Sequence, residues 1–315
     1  KILAHLGVPV RVWPRAPKKN IMKIFDCTTF FDENLMLEVR FNILNKYVDK
    51  FVVTEAKYSH SGEKKKLNFD INKFSEYSKK INYLILDVQS DEIEDIKEND
   101  TENEKSRKYI LNGYRRDHFQ RNHILKGINN ANPEDIIIIS DIDEIPNLNK
   151  IDLKKTKKKL IFFNQKMCYY KFNLYHKNYS WFGSRACRKK NLLSPQWLRD
   201  IKPKSYAFWR FDTFFSKTRY NNIHFVKDGG WHFSYLNTPE LIEEKLKSYT
   251  HHHEYDLNPI GIQNIEKRIK NKESVYNLNF DQRKNKFSKG VKLDILNMDE
   301  LPENINKNKY EKWLE

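Results

Sequence analysis

Apolar residues in the first half of the chain alternate between strand-like runs and helical spacing. Residues 22–27 form a short apolar run, and from Leu35 onward apolar positions recur every four residues, which indicates a strand followed by a helix. The same patterns predict further strands at 51–54, 81–88 and 136–139 and further helices at 68–79 and 107–128. This alternation predicts an α/β fold with a mostly parallel sheet flanked by helices, whose ligands bind at the carboxyl ends of the strands.

The second half of the chain has a different pattern. Strand-like aromatic runs are predicted at 160–163, 167–175 and 207–215, and helices at 239–249 and 259–270. We therefore expect an α+β C-terminal half. Residues 1–21 are basic and contain three prolines, which favours a leader, a linker or sequence added for expression. Residues 284–315 are predicted to be a polar C-terminal tail.

Composition and charge narrow the class of protein. The 315 residues include 58 Lys and Arg against 42 Asp and Glu, a net charge of +16, and 14% of them are aromatic. The aromatic content excludes wholesale disorder, because it supplies the apolar surface that a packed core needs. The basic residues are scattered rather than concentrated in one stripe, so we expect no nucleic-acid partner. No apolar stretch reaches the roughly 18 to 20 residues of a membrane span.

The three cysteines, Cys27, Cys168 and Cys187, are odd in number and show no Cys-x-x-Cys spacing. This pattern favours neither a disulfide framework nor a zinc site. We expect buried free thiols.

The segment with the clearest chemistry follows four isoleucines, where the chain reads Ser140-Asp141-Ile142-Asp143-Glu144. In an extended segment, residues two apart point the same way, so Asp141 and Asp143 can converge on one ion. A hard divalent cation takes carboxylate oxygens and leaves positions open for phosphate. The alternative is an ordinary acidic turn at a strand end, with an aspartate capping the next element.

Other segments accompany this motif in a fixed order. They are Asp32-Glu33 with Leu37-Glu38-Val39-Arg40, Phe51-Val52-Val53-Thr54-Glu55-Ala56, Tyr58-Ser59-His60-Ser61-Gly62, Gln120-Arg121-Asn122 and Gly229-Gly230-Trp231-His232-Phe233-Ser234. Together with Ser140-Asp141-Ile142-Asp143-Glu144-Ile145-Pro146, they resemble glycosyltransferase family 17. That family includes the bisecting β-1,4-mannosyl-glycoprotein β-1,4-N-acetylglucosaminyltransferases.

The resemblance covers residues 22–283 and implies a GT-A-like (Rossmann-like) glycosyltransferase domain over that range. It also implies a UDP-sugar donor, UDP-GlcNAc in the known members, a Mn²⁺ or Mg²⁺ ion and inversion at the anomeric carbon. The partners it implies are a nucleotide sugar and a glycan or glycoprotein acceptor. The segment 179–204 matches the family only loosely, which leaves the acceptor open.

The resemblance also implies roles for the acidic motif. Asp141 would face the ribose and the metal, and Asp143 would be the direct metal ligand. Glu144 would hold the acceptor or a neighbouring arginine, and His232 would be a third metal ligand or a contact to the diphosphate. As residues alone, Glu144 is equally typical of a helix N-terminal acid, and His232 between two aromatic residues is typical of a core histidine.

Two arginines precede the acidic motif on one predicted helix. Arg116 and Arg121 are candidates to bind the diphosphate, but five-residue spacing places them on different helix faces, so we expect at most one to reach it. Glu55, at the end of the second strand, is a candidate contact to the nucleotide or sugar or a surface acid.

Inverting transfer needs a base that accepts the proton of the acceptor hydroxyl. Asp228, immediately before two glycines and His232, is the first candidate, and an ordinary turn residue is its alternative. Glu243 and Glu244, in the following helix, are the reserve candidates. The run 251–253 of three histidines cannot all face one ion from a helix. Three tryptophans are candidates for stacking on sugar rings, with core packing as the default: Trp181, Trp197 and Trp209.

Two other functions remain open from sequence. A phosphohydrolase can use strand-end aspartates on a doubly wound sheet, but it usually carries Thr or Val where Ile145 stands. A non-catalytic basic binding protein would show aromatic residues interleaved with a concentrated Lys/Arg stripe. We expect a metal-dependent sugar transferase.

Overall fold

The structure is a computed structural model that describes residues 21–207, 209–248, 255, 259–277, 289–305 and 307–315. Its strands, in chain order, are β1 (Ile24–Phe30), β2 (Lys50–Ala56), β3 (Ile81–Leu86), β4 (Ile136–Ser140), β5 (Glu144–Pro146), β6 (Leu160–Phe163), β7 (Gln165–Tyr169), β8 (Leu174–Trp181), β9 (Arg185–Arg188), β10 (Ile223–Val226), β11 (Gly230–Ser234) and β12 (Asp294–Ile295). Its α-helices are α1 (Asn34–Leu44), α2 (Glu102–Gly127), α3 (Pro195–Asp200), α4 (Pro239–Ser248), α5 (Ile262–Lys270) and α6 (Lys307–Tyr310).

The strands form two sheets. The first has the order β10-β6-β9-β4-β1-β2-β3, and only β9 runs antiparallel to its neighbours. The second has the order β12-β8-β7-β11-β5 and is mostly antiparallel. The predicted α/β fold with sheets and flanking helices is confirmed.

The two faces of the first sheet are covered by different helices. Side chains of α1 such as Leu37 and Phe41 pack with Ile138 in one core cluster, while Ile124 of α2 packs with Ile137 in another. Because successive strand residues point to opposite faces, the four isoleucines of β4 alternate between these two clusters. An uninterrupted apolar run is therefore what a strand buried on both faces requires.

The crevice of this sheet is the region outside the carboxyl ends of β1 and β4, where the strand order reverses. From β1 the chain passes to β2 on one side, and β4 pairs with β1 on the other side. The carboxyl ends of β1 and β4 consequently meet beside a gap between diverging connections, the usual ligand position in open α/β sheets. The segment after β1 contains Asp32 and Glu33, and the segment after β4 begins with Asp141.

A buried ion pair connects the elements that flank this crevice. Arg40 of α1 and Asp26 of β1 are both almost fully buried, and Arg40 donates to the two carboxylate oxygens of Asp26 over 2.7 and 2.6 Å. The remaining guanidinium nitrogen of Arg40 donates to the carbonyl oxygens of Asp141 and Glu144 over 3.2 and 2.7 Å. One side chain therefore joins α1, β1 and the turn that follows β4.

Two predicted elements differ from the structure. The predicted helix at 68–79 is a kinked 3-10 helix, Ile71–Tyr77, with Phe74 outside helical geometry. The predicted strand at 207–215 is wrong: the described part of this segment lies in neither sheet and contains the 3-10 helix Phe211–Phe215. Aromatic residues favour strands only where a neighbouring strand is available to pack against them, and none pairs here.

The segment predicted as a polar tail packs against the core in its described parts. β12 pairs with β8, and Leu296, Leu301 and Tyr310 are buried in the cluster that α1 shares. Isolated apolar residues among many polar ones carry little periodic signal, so the sequence did not indicate this packing. None of the helices that the structure describes is long and apolar enough to span a bilayer.

We predict that the Arg40–Asp26 pair is a major determinant of stability. Arg40→Met leaves a buried carboxylate without a partner and should lower the free energy of unfolding by about 3 to 5 kcal/mol. The double variant Asp26→Leu, Arg40→Met should recover only part of this loss, because the carbonyl groups after β4 still lack their donor. Urea denaturation measures both, and a loss below about 1 kcal/mol in Arg40→Met would contradict this role.

The predicted free thiols are confirmed, since all three cysteines are buried and unpaired. Burial raises the pKa of Cys187 to about 12 and that of Cys27 well above its usual value. Only the thiolate is reactive. We therefore predict that Ellman's reagent labels no cysteine of the native protein at pH 8 and all three after denaturation. Labelling of the native protein at the rate of a free thiol would show that this core opens.

Candidate active site

The acidic motif forms a tight turn between β4 and β5. The backbone N–H of Glu144 donates to the carbonyl oxygen of Asp141 over 3.1 Å, and the carboxylate of Glu144 accepts the N–H of Asp141 over 2.9 Å. The prediction that this segment is extended is therefore wrong. Because the chain turns here, Asp141 and Asp143 are held by different partners.

Asp141 is held by two arginines. Arg121 of α2 donates to one of its oxygens over 3.0 Å, and Arg199 of α3 donates to the other over 2.9 Å. Burial works to raise the pKa of Asp141, but Arg199 and Arg121 together outweigh it and hold the pKa well below its usual value. The side chain keeps 36% of its surface exposed, so this anion lies at the mouth of the crevice.

Asp143 faces a histidine and a lysine. One carboxylate oxygen is 3.4 Å from Nε2 of His232, and the other is 3.9 Å from Nζ of Lys245. Burial works to raise the pKa of Asp143, yet His232 and Lys245 hold it below its usual value. For His232 burial works in the opposite direction, and the neighbouring carboxylates, Asp143 foremost, raise its pKa.

His232 reaches Asp143 because β11 pairs with β5. In this antiparallel pair His232 lies opposite Glu144, and the N–H of Phe233 donates to the carbonyl oxygen of Asp143. Gly230 has a φ of 131°, and a Cβ there would overlap the carbonyl oxygen of Ile145. The glycine before His232 therefore permits the close strand pairing that positions the imidazole.

Glu144 is fully buried and has charged and neutral partners. Arg199 donates to both of its carboxylate oxygens, over 2.6 and 2.9 Å, and the indole N–H of Trp181 donates over 2.7 Å. A Cβ at Gly183 would overlap this carboxylate. Of the two roles predicted for Glu144, the geometry is that of holding a neighbouring arginine.

Acids after β1 complete the crevice. Lys245 of α4 lies 3.4 Å from the carboxylate of Glu33 and so links it to Asp143. Burial and the charge of Glu33 raise the pKa of Asp32. The acids from the ends of β1 and β4 are thereby joined through one ammonium group.

Several other predicted site residues lie outside this cluster. Arg116 donates to the carbonyl oxygen of His60 and to Gln89, so only Arg121 of the two arginines reaches Asp141. Glu55 is fully buried and accepts hydrogen bonds from Lys65, Asn68, Phe69 and Tyr83. Its carboxylate is neither a surface acid nor open to a nucleotide, because these four residues surround it.

Asp228, the first candidate base, is not brought to the cluster. It is exposed, in a turn with a φ of 46° before the end of β11 that pairs with Pro146, whereas His232 is the central residue of β11 and lies opposite Glu144. Of the reserve candidates, Glu243 contacts Lys247 and Tyr255, and Glu244 is exposed and close enough to Asp32 to raise its pKa.

The three candidate tryptophans lie in three different environments. Trp181 lies at the cluster, with its ring centroid 5.0 Å from that of His232. Trp197 packs edge-on against Tyr220, and Trp209 is 62% exposed. The three histidines at 251–253 lie outside the described residues.

The donors available to a metal ion are a carboxylate and an imidazole. In the part of the chain that the structure describes, no three His, Cys, Asp or Glu side chains converge closely enough to hold a metal themselves. Asp143 and His232 nevertheless offer two adjacent donors, and Nδ1 of His232 is buried without a hydrogen-bond partner. Mg²⁺ and Mn²⁺ are commonly held by one or two carboxylates and fill their remaining positions with phosphate and water, and imidazole is a common ligand of first-row transition metals. The residues fit such an ion.

Sequence reasoning missed four residues of this site: Asp26, Arg40, Arg199 and Lys245. A signal existed for the first two, since Asp26 interrupts an apolar strand and Arg40 falls on the apolar face of α1. Buried charges of this kind are almost always paired. Arg199 lies in a segment with little periodicity, and nothing in the sequence separates it from the surface basic residues.

The fold is α/β, and the acidic turn follows β4 at the point where the strand order of the first sheet reverses. A family model described as glycosyltransferase family 17 matches residues 10–279. The chain therefore belongs to glycosyltransferase family 17, as predicted, and is a transferase that uses a nucleotide sugar and a glycan acceptor. A search of curated proteins found no match.

We predict that Asp143→Ala abolishes the metal-dependent part of UDP binding while the protein stays folded, because the residue lies in the turn between β4 and β5 rather than in the apolar core. His232→Ala should weaken the same metal-dependent part of UDP binding. Calorimetric titration of UDP with and without Mn²⁺ measures it, and circular dichroism checks the fold. Glu134→Gln is the matched control, an exposed carboxylate before the amino end of β4. Unchanged metal-dependent affinity in Asp143→Ala would remove Asp143 from the metal site.

Proposed function

We propose that this chain is a GT-A type, metal-dependent, inverting glycosyltransferase. It moves a sugar, GlcNAc foremost, from a UDP-sugar to a hydroxyl of a glycan and forms a β-linkage. The observation that carries the proposal is the meeting of Asp143 and His232 at the switch point of the sheet in a member of glycosyltransferase family 17. The parallel order β3-β2-β1-β4 beside that point supports nucleotide binding there.

In this mechanism Asp143 and His232 would hold the divalent cation, through a carboxylate oxygen and a neutral imidazole nitrogen. A cation there would neutralise charge on the diphosphate as it leaves. Arg121 and Arg199 hold the turn through Asp141, which keeps Asp143 in place before the donor binds. Lys245, between Glu33 and Asp143, brings a further positive charge to the side of the crevice where the diphosphate would lie.

The arrangement favours a transferase over an aspartate-dependent phosphohydrolase. A nucleophilic aspartate needs an oxygen free to attack phosphorus, and both oxygens of Asp141 accept hydrogen bonds from arginines. Asp143, in turn, is paired with His232 and lies near Lys245.

We predict that the protein hydrolyses UDP-GlcNAc slowly with Mn²⁺ and faster than UDP-glucose or UDP-galactose, and that EDTA stops the reaction. Donor hydrolysis needs no acceptor, so it tests the donor directly. Proton NMR of the first product should show the β-anomer, because a single displacement inverts the α-linked donor. Initial release of the α-anomer would contradict inversion, and cleavage of simple phosphate monoesters instead of UDP-sugars would favour a phosphohydrolase.

The base that accepts the proton of the acceptor hydroxyl must lie beside the crevice. Glu244 fits this position better than Asp228, because it is exposed and close to Asp32, whereas Asp228 lies beyond the far end of β11. We predict that Glu244→Gln lowers transfer by about 10²- to 10⁴-fold with donor binding unchanged, and that Asp228→Asn transfers normally. The opposite result would return the role to Asp228. Coupled UDP release and calorimetry measure turnover and binding.

A further inference from the structure

A loop with exposed aromatic rings leaves the body of the protein next to α3. Its ends are joined by the N–H of Lys202, which donates to the carbonyl oxygen of Thr218 over 2.9 Å. Residues 202–218, the aromatic loop, include six aromatic residues: Tyr206, Phe208, Trp209, Phe211, Phe214 and Phe215. Closed ends and a long excursion make it an Ω-like loop, a type that often carries function.

The rings of this loop are unusually exposed. Trp209 is 62% exposed, Phe211 71% and Phe215 91%. Single exposed apolar residues are common on protein surfaces, but three large rings within seven residues form an apolar patch. Such a patch is typical of a surface that contacts another apolar surface, such as a membrane or a partner protein.

The structure fixes the base of the loop rather than leaving it to collapse. Trp197 of α3 donates its indole N–H to the carbonyl oxygen of Lys217 over 3.0 Å, and Arg185 donates to the carbonyl oxygens of Leu198 and Ile201. Within the loop, Thr213 is buried and donates to the carbonyl oxygen of Arg210. The 3-10 turn that carries Phe211 and Phe215 is thus pinned from its inner side.

The loop that carries these rings is also basic. The loop contains one acidic residue, and its exposed basic residues are Lys202, Lys204, Arg210 and Lys217. Aromatic rings beside lysine and arginine side chains suit the boundary of a bilayer, where rings enter the headgroup layer and cations meet anionic phosphates. A sugar-binding wall differs, because it holds its ring against neighbouring protein groups, and Phe215 has almost no protein surface around it.

We propose that the aromatic loop docks this protein onto an anionic lipid surface. The rings of Trp209, Phe211 and Phe215 enter the headgroup layer, and the basic residues of the loop bind lipid phosphates. The loop leads directly from α3, which supplies Arg199 to the acidic turn. Docking therefore holds the crevice beside the surface on which the acceptor glycan would be presented.

Sedimentation with vesicles tests this proposal. The chain should sediment with vesicles of three parts phosphatidylcholine to one part phosphatidylglycerol, bind pure phosphatidylcholine weakly, and dissociate as salt rises. Phe211→Ser with Phe215→Ser should weaken binding about tenfold for each ring removed. Lys204→Gln with Lys217→Gln should weaken binding to the anionic vesicles alone. The matched control removes two exposed apolar side chains elsewhere, Val88→Ser with Ile295→Ser, and should bind normally.

The following outcomes would overturn the proposal that the loop docks onto lipid. Equal sedimentation of the ring variants, or none by the parent chain, rejects it. Ring-dependent binding to a sulfated glycan without vesicle binding assigns the loop to polyanionic glycans, and ring-dependent dimerisation in ultracentrifugation assigns it to a second copy. UDP-GlcNAc hydrolysis without vesicles should be unchanged in the ring variants. Because the two readouts are independent, a failure of the proposed enzyme activity leaves the docking result interpretable.

Discussion

The candidate site depends on one buried ion pair. Arg40 joins Asp26 of β1 to the carbonyl groups of the turn after β4. The side chains and carbonyl groups involved are buried or lie at the edge of the core. A lone buried charge is costly, so α1, β1 and the turn must adopt this arrangement together. The turn that carries the acidic motif is therefore positioned by the core itself rather than by its own short sequence.

Around that turn the charges are divided into two sets. Arg121 and Arg199 compensate Asp141 and Glu144, which fixes the shape of the turn, while Asp143 is left to a titratable histidine and a half-exposed lysine. Permanently charged guanidinium groups suit a structural role, and an imidazole and an ammonium suit the site that we propose for a cation and a diphosphate. In this proposal Asp141 supports the turn and Asp143 binds the metal ion.

The sequence predicted the parts of this structure that follow from local pattern. The strands β1 to β4, the helices α1 and α2 and the position of the acidic motif after β4 are visible in periodicity alone. The turn geometry, the pairing of His232 with Asp143 and the role of Arg199 arise from contacts between distant segments, which one sequence does not display. The segment 207–215, which belongs to the aromatic loop, was predicted to be a strand because its residues have high strand propensity. That propensity reflects packing against a neighbouring strand, and here the rings of Trp209, Phe211 and Phe215 face outward.

The most direct test of the account is a crystal structure with UDP and Mn²⁺, with anomalous scattering used to locate the metal. We expect a manganese peak within bonding distance of Asp143 and of His232, with the diphosphate beside it in the crevice between the ends of β1 and β4. A manganese peak away from both side chains, or UDP bound elsewhere on the sheet, would contradict it.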